Sequence, residues 1–89
     1  CAGVVDDKGA LVGMVTDGDL RRAMLAGKTG LPARDVMTVR PRTIDPDERM
    51  QFVIKALSEN RISNAFVVGE NGAPLGLIDM KDLLAEGYL

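Results

Sequence analysis

Histidine and tryptophan are missing from this chain of 89 residues, and its only cysteine, Cys1, is the first residue. Without histidine, the side chain that most often serves as general base or metal ligand near neutral pH is gone. One thiol closes no internal disulfide and supplies no paired-cysteine zinc site, so a reducing, cytoplasmic setting is expected. Aromatic residues are few, two Phe and one Tyr, and the core must be assembled from Val, Ile, Leu and Met. No apolar run reaches the roughly 20 residues of a membrane span. Charge is close to balanced, 11 basic against 13 acidic residues for a net −2, and the basic residues are scattered. No concentrated positive field is offered to a phosphodiester backbone. Neither nucleic acid nor a membrane is an expected partner.

What is present is a repetition. Gly13-Met14-Val15-Thr16-Asp17-Gly18-Asp19-Leu20 returns as Gly76-Leu77-Ile78-Asp79-Met80-Lys81-Asp82-Leu83, an offset of 63 positions. At the same offset Val4-Val5 matches Val67-Val68, and Gly9-Ala10 matches Gly72-Ala73. Each copy reads as apolar strand, glycine turn, apolar strand, then a helix opening on an acidic residue. Such a repeat is a supersecondary unit that stacks on its partner. The length allows one domain, which at this size buries only about 60% of the surface its unfolded chain exposes.

Residues 2–5 and 10–15 read as strands about the turn Asp6-Asp7-Lys8-Gly9. Thr16 precedes a helical pattern over 17–26, with Leu20, Ala23 and Met24 as its apolar stripe and Gly27 closing it. A Gly-bearing connector follows, then a single helical turn over 32–37 with Pro32 near its first position. Arg42-Thr43-Ile44 is extended. Asp45-Pro46-Asp47-Glu48 carries the marks of a helix start: a capping residue, a first-turn Pro and two acids at the positive end of the dipole. A helix over about 46–59 is therefore expected, with Met50, Val53, Ile54 and Leu57 on its apolar face. A second hairpin over 65–68 and 75–78 and a helix over 79–86, ended by Gly87, complete the chain. The expected fold class is α+β, sandwich-like, with tandem β-α-β-β-α repeats of which the first is incomplete. Residues 1–27 form the C-terminal half of the first repeat, 28–34 a linker and 35–89 the second repeat. A copy of the 43–61 portion is missing ahead of Cys1, so the chain reads as a piece of a longer protein.

Four segments carry a family resemblance: Gly13 to Arg22, the linker Asp35-Val36-Met37-Thr38, Thr43-Ile44-Asp45-Pro46-Asp47, and Gly76 to Leu84. Together they resemble a pair of cystathionine-β-synthase-type (CBS) domains over the whole chain. Thr16-Asp17-Gly18-Asp19-Leu20-Arg21-Arg22 is similar to the C-terminal regulatory region of arabinose-5-phosphate isomerases, sugar-phosphate isomerases on the route to Kdo for lipopolysaccharide or capsule. The resemblance implies a nucleotide held in the cleft between sheets and helices, a sugar-isomerase catalytic domain attached in cis, and a homo-oligomer. This chain departs from the family in the second repeat, where His-Met-His-Asp is common and Asp79-Met80-Lys81-Asp82 stands instead.

At the first copy, Thr16 and the amides after it stand at a helix N-terminus, where unpaired N–H groups and the dipole favour an anion. Asp19, an acceptor-only carboxylate, suits a vicinal diol. The spacing fits a capping box equally well. The family implies Thr16 near phosphate and Asp19 on ribose hydroxyls. In the second copy Asp79 reads as a plain cap and Asp82 as the ribose contact. Thr43, Ile44 and Ala65 line the base-facing wall if carried over from the family; an extended Thr-Ile beside a helix start is also ordinary sheet edge and core. Arg40, Arg42 and Arg61 read as solubilising surface. No metal site is expected, since Asp6-Asp7 lies in a turn where acids are ordinary and Asp17/Asp19 has no third hard ligand nearby. Met14, Met24, Met37, Met50 and Met80 read as core filler.

The function expected is that of a non-catalytic regulatory module that binds a nucleotide or nucleotide-sugar and controls the attached isomerase. CMP-Kdo is suggested by feedback on the first committed sugar-phosphate step, with AMP and ATP as rivals. The alternative is a structural dimerisation module with an empty cleft. An independent enzyme is opposed by the missing nucleophile–base set. The strands around Val4-Val5 and Val12 to Val15, uncovered by the missing half-repeat, are expected to pair with a second copy.

Overall fold

In the computed structural model, which describes residues 1–87, Asp6 sets the first hairpin. Its carboxylate accepts the N–H groups of Lys8 at 2.9 Å and Ala10 at 3.0 Å. Gly9 takes φ +83°, a left-handed conformation open to a residue without Cβ. The turn joins β1 (Ala2–Val5) to β2 (Leu11–Val15), paired antiparallel with Ala2 opposite Val15 and a bulge between Val4 and Val5. Helix α1 (Asp17–Leu25) follows, and Gly27 at φ +69° ends it. A helical turn, α2 (Ala33–Val36), leads into β3 (Thr38–Val39), which pairs with β2, Met14 opposite Thr38. The sheet order is β1-β2-β3, and Cys1–Pro41 forms one of two compact units. Strand β3 went unread in the sequence, because two residues before a proline show no alternation and its partner lies far back in the chain.

The second unit spans Arg42–Leu89; residues 88 and 89, the end of the expected second repeat, lie outside the described residues. Strand β4 (Thr43–Ile44) runs parallel to β5 (Asn64–Val68), with Ile44 opposite Val67, and α3 (Met50–Glu59) makes the crossover that a parallel pair requires. Strand β6 (Pro74–Asp79) returns antiparallel to β5, and α4 (Met80–Ala85) follows it. Ladder partners and alternate residues share a sheet face, so Ile44, Ala65, Val67 and Ile78 point one way. Val53 and Leu57, one helical turn apart on α3, close over that face, with Leu57 1% exposed.

The repeat is structural as well as sequential. The second hairpin has its bulge between Val67 and Val68, 63 positions after the first, and Gly72 repeats the left-handed conformation of Gly9. The Gly69 N–H donates to the Ala73 carbonyl at 2.9 Å just as Asp6 does to Ala10. One turn differs, for Glu70–Gly72 forms a short 3₁₀ segment.

Two expectations are corrected. Helix α3 starts at Met50, four residues later than Pro46, with Arg49 in the capping position and no side-chain cap. The Asp45 carboxylate takes the Asp47 N–H at 2.8 Å and its carbonyl takes the Glu48 N–H at 3.0 Å, which closes a separate turn in place of the first helical one. On α1 the buried stripe is Asp19 and Ala23, while Leu20 and Met24 are exposed, Met24 at 68%. Met24 is therefore not core filler. Asp19 and Ala23 are one turn apart, and the inward side of the helix is defined by a carboxylate that pattern reading places outside.

Candidate functional site

Thr16 has extended backbone, φ −102° and ψ 171°, and leaves the first amides of α1 free to meet side chains. Its hydroxyl accepts the Asp19 N–H at 3.2 Å, and the Asp19 carboxylate accepts the Thr16 N–H at 2.9 Å and the Thr16 hydroxyl proton at 3.0 Å. This is a complete capping box. The same carboxylate accepts Arg22 Nη2 at 2.6 Å, and the Thr38 hydroxyl lies 3.1 Å from both of its oxygens. Thr16 and Asp19 are thus brought together, and Asp19 is only 5% exposed.

Burial alone would raise the Asp19 pKa. The Thr16 N–H, the Arg22 guanidinium and the hydroxyls of Thr16 and Thr38 outweigh it and hold the carboxyl below its usual range. Arg22 is 71% exposed, so the ion pair adds little by itself. Thr38 was missed as a site residue. The linker motif that contains it marks the family and not this contact, because its partner is 19 positions away and the two meet only when β3 joins the sheet.

Met37, beside Thr38, is held as well. A Cβ on Gly13 would overlap the Met37 thioether, so glycine in β2 makes room for that side chain. Its counterpart, Gly76, has nothing within 4 Å of a built Cβ.

In the second copy Asp79 caps α4 by accepting the Lys81 N–H at 2.8 Å, and Asp82 is exposed. Ile44 at 7% and Ala65 at 0% exposure belong to the core of the second unit, while Thr43 is exposed on the outer face. Thr43 borders a cavity of about 550 Å³ walled by Asp45, Asp47, Glu48 and Glu70. Four carboxylates there oppose a phosphate. A smaller cavity, about 210 Å³, lies beside Asp19 and is bounded by Arg22, Lys28, Asp35 and Val36 among others. Among the described residues no group of acids, Cys or His is arranged to hold a metal ion, and no helix is long and apolar enough to cross a membrane.

Residues 2–26 and 33–88 match the family model for the CBS domain. The chain belongs to the CBS-domain family. Arabinose 5-phosphate isomerase KdsD of Pseudomonas aeruginosa is 35% identical over 91 residues, and arabinose 5-phosphate isomerase GutQ of Escherichia coli O6:H1 is 34% identical over 87. Each alignment takes in 97% of this chain and 27% of the isomerase, so the chain spans about a quarter of the length of these curated relatives. The CBS domain pair of protein MJ0100, solved with 5′-methylthioadenosine and S-adenosyl-L-methionine, superposes with a TM-score of 0.84 at 27% identity, over 94% of this chain and 69% of that one. The fold of CBSX2 agrees at a TM-score of 0.80 and 23% identity, over 97% of this chain and 69% of that one.

Proposed function

We propose that this CBS module binds a nucleotide or nucleotide-sugar and thereby controls an arabinose-5-phosphate isomerase domain on the same polypeptide, in the cytoplasm and on the route to Kdo. The observation that carries the reading is similarity to two such isomerases along 97% of the chain. The nucleosides carried by the MJ0100 pair support a ligand of that class. Thr16 itself brings no charge to the N-terminus of α1, whose N–H groups favour an anion, although Asp17 and Asp19 stand in the same first turn and the Thr16 hydroxyl is held by Asp19. The Asp79 carboxylate at the matching place on α4 repels a phosphate. Asp82 is exposed to ribose hydroxyls, and Asp19 meets them only by giving up a donor it now holds; of the residues the family assigns to the base, Thr43 is exposed, while Ile44 and Ala65 are buried in the core of the second unit. CMP-Kdo is the ligand favoured by feedback logic, with AMP and ATP as rivals. Control follows if the ligand binds two states of the protein unequally.

Thermal unfolding with CMP-Kdo, AMP, ATP and S-adenosylmethionine, each added alone, tests binding. A ligand at 100 times its Kd stabilises the fold by about 2.7 kcal/mol, so at least one should raise the midpoint, and Thr16→Ala should weaken it more than Asp79→Ala. No shift with any of them removes the nucleotide reading. Isomerase activity of the full-length protein that ignores a bound nucleotide removes the regulatory one. A second reading, a dimerisation module, is favoured by Leu20, Met24 and Leu25, which α1 leaves 51%, 68% and 83% exposed.

A further inference from the structure

A carboxylate has two oxygens and about four acceptor positions, and those of Asp19 are already engaged by the Thr16 N–H, the Thr16 hydroxyl, the Arg22 guanidinium and the Thr38 hydroxyl. Three of these donors belong to α1 or its cap and move with it. The fourth comes from β3, a two-residue strand held to β2 only through Gly13 opposite Val39 and Met14 opposite Thr38. Both residues of β3 are exposed, so little apolar burial fixes it. Its side-chain anchors are the Thr38 hydroxyl on Asp19 and, one residue earlier, the Met37 thioether against Gly13.

We infer that Thr38 is a latch on Asp19: a nucleotide that takes the Asp19 carboxylate with its ribose diol does so by displacing the Thr38 hydroxyl, which frees β3 from α1. The inference rests on the nucleotide reading above and supplies its regulatory step. One hydroxyl of the diol takes the acceptor position that Thr38 leaves, while the capping box and Arg22 stay intact. Losing the hydroxyl anchor leaves a two-residue ladder, the part of the first unit from which the chain runs through Pro41 into the second. Ligand occupancy at Asp19 is thereby converted into mobility of residues 37–41. Linkage makes the effect reciprocal, so anything that holds β3 down weakens the ligand.

The test titrates CMP-Kdo, AMP, ATP and S-adenosylmethionine against wild type, Thr38→Val and Thr38→Ser, and follows amide hydrogen exchange of residues 36–40 with and without nucleotide. Thr38→Val keeps the shape and removes the donor, and should bind the nucleotide about tenfold more tightly, the change that corresponds to about 1.4 kcal/mol. Thr38→Ser keeps the donor and should bind as wild type does. In wild type the bound nucleotide should speed exchange at 36–40, a readout that stands even if Thr38→Val folds poorly. A nucleotide that binds while exchange at 36–40 slows or stays unchanged overturns the latch and leaves the nucleotide reading in place, as does equal or weaker binding by a folded Thr38→Val. Absence of binding by all three proteins overturns both.

Discussion

Asp19 concentrates the chemistry of the first unit. Its folded carboxyl titrates below the unfolded one, so it stabilises the fold fully above the unfolded pKa of about 4 and loses that contribution as pH falls through the lower, folded value. Asp19→Asn should cost roughly 1–3 kcal/mol near pH 7, where charged hydrogen bonds are lost. The gap from wild type should narrow below about pH 4 as both side chains become neutral. Denaturant unfolding across that range checks it, and a gap constant from pH 7 to pH 3 would contradict the role given to the charge. The two repeat glycines give a paired test of packing. Gly13→Ala must displace the Met37 thioether and should cost about 1 kcal/mol, the low end of the overpacking range, because the methionine side chain is flexible and half-buried. Gly76→Ala meets open space and should be neutral or mildly stabilising, since glycine inside a strand costs conformational entropy. Equal melting points for the two variants would refute the Met37 contact. Spacing alone pointed to Thr16 and Asp19 as a pair, but whether they form a cap or a ligand contact was undecidable there, because both uses need the same offset.

Elements whose signals are local were readable in the sequence. The strands of the first hairpin, the Asp6 turn and the ends of α1 follow from alternation, a turn acid and a C-terminal glycine, and the structure has them within a residue. Helix α3 misled because Asp45-Pro46-Asp47-Glu48 suits a helix start and a free-standing turn equally, and the Asp45 side chain closes the turn. Strand β3 was invisible because its stability comes from β2. The C-terminus of α3 offers a measurable consequence of sequence working against geometry. The Ile62 N–H reaches the Leu57 carbonyl at 2.9 Å, and this closure forces Arg61 to φ +55°, where α1 has Gly27 and α4 leads to Gly87. A left-handed residue with a Cβ costs about 1–2 kcal/mol, and glycine gives back about 0.5–1 in unfolded-chain entropy. Arg61→Gly should therefore stabilise the protein by roughly 0.5–1 kcal/mol, read as a raised midpoint in denaturant. A lowered midpoint would mean that the Arg61 side chain makes a stabilising contact that outweighs the strain.

At the scale of the whole molecule, the repeat made the fold legible before any element was certain, since two copies 63 positions apart constrain each other. It did not reveal how unequal the copies are. Asp19 is buried and fully engaged while its twin Asp82 is exposed, and Leu20 is 51% exposed while its twin Leu83 is 8%. The inequality also changes where association between copies is expected. Met14 and Val15 are buried at 8% and 9%, so little of β2 remains open beyond Val12 at 37%. Leu20, Met24 and Leu25 on α1 expose larger side chains over neighbouring turns, and apolar area lost from water is worth about 25 cal/mol per Å². If the chain pairs with itself, α1 is the surface with more to gain. Light scattering against concentration should show a dimer that Met24→Glu with Leu25→Glu weakens at least tenfold, while Val5→Thr with Val12→Thr leaves it nearly unchanged. Loss through the valine pair would return the contact to the strands. A monomer at every concentration would remove self-association, and with it the dimerisation reading, leaving the nucleotide reading without its rival.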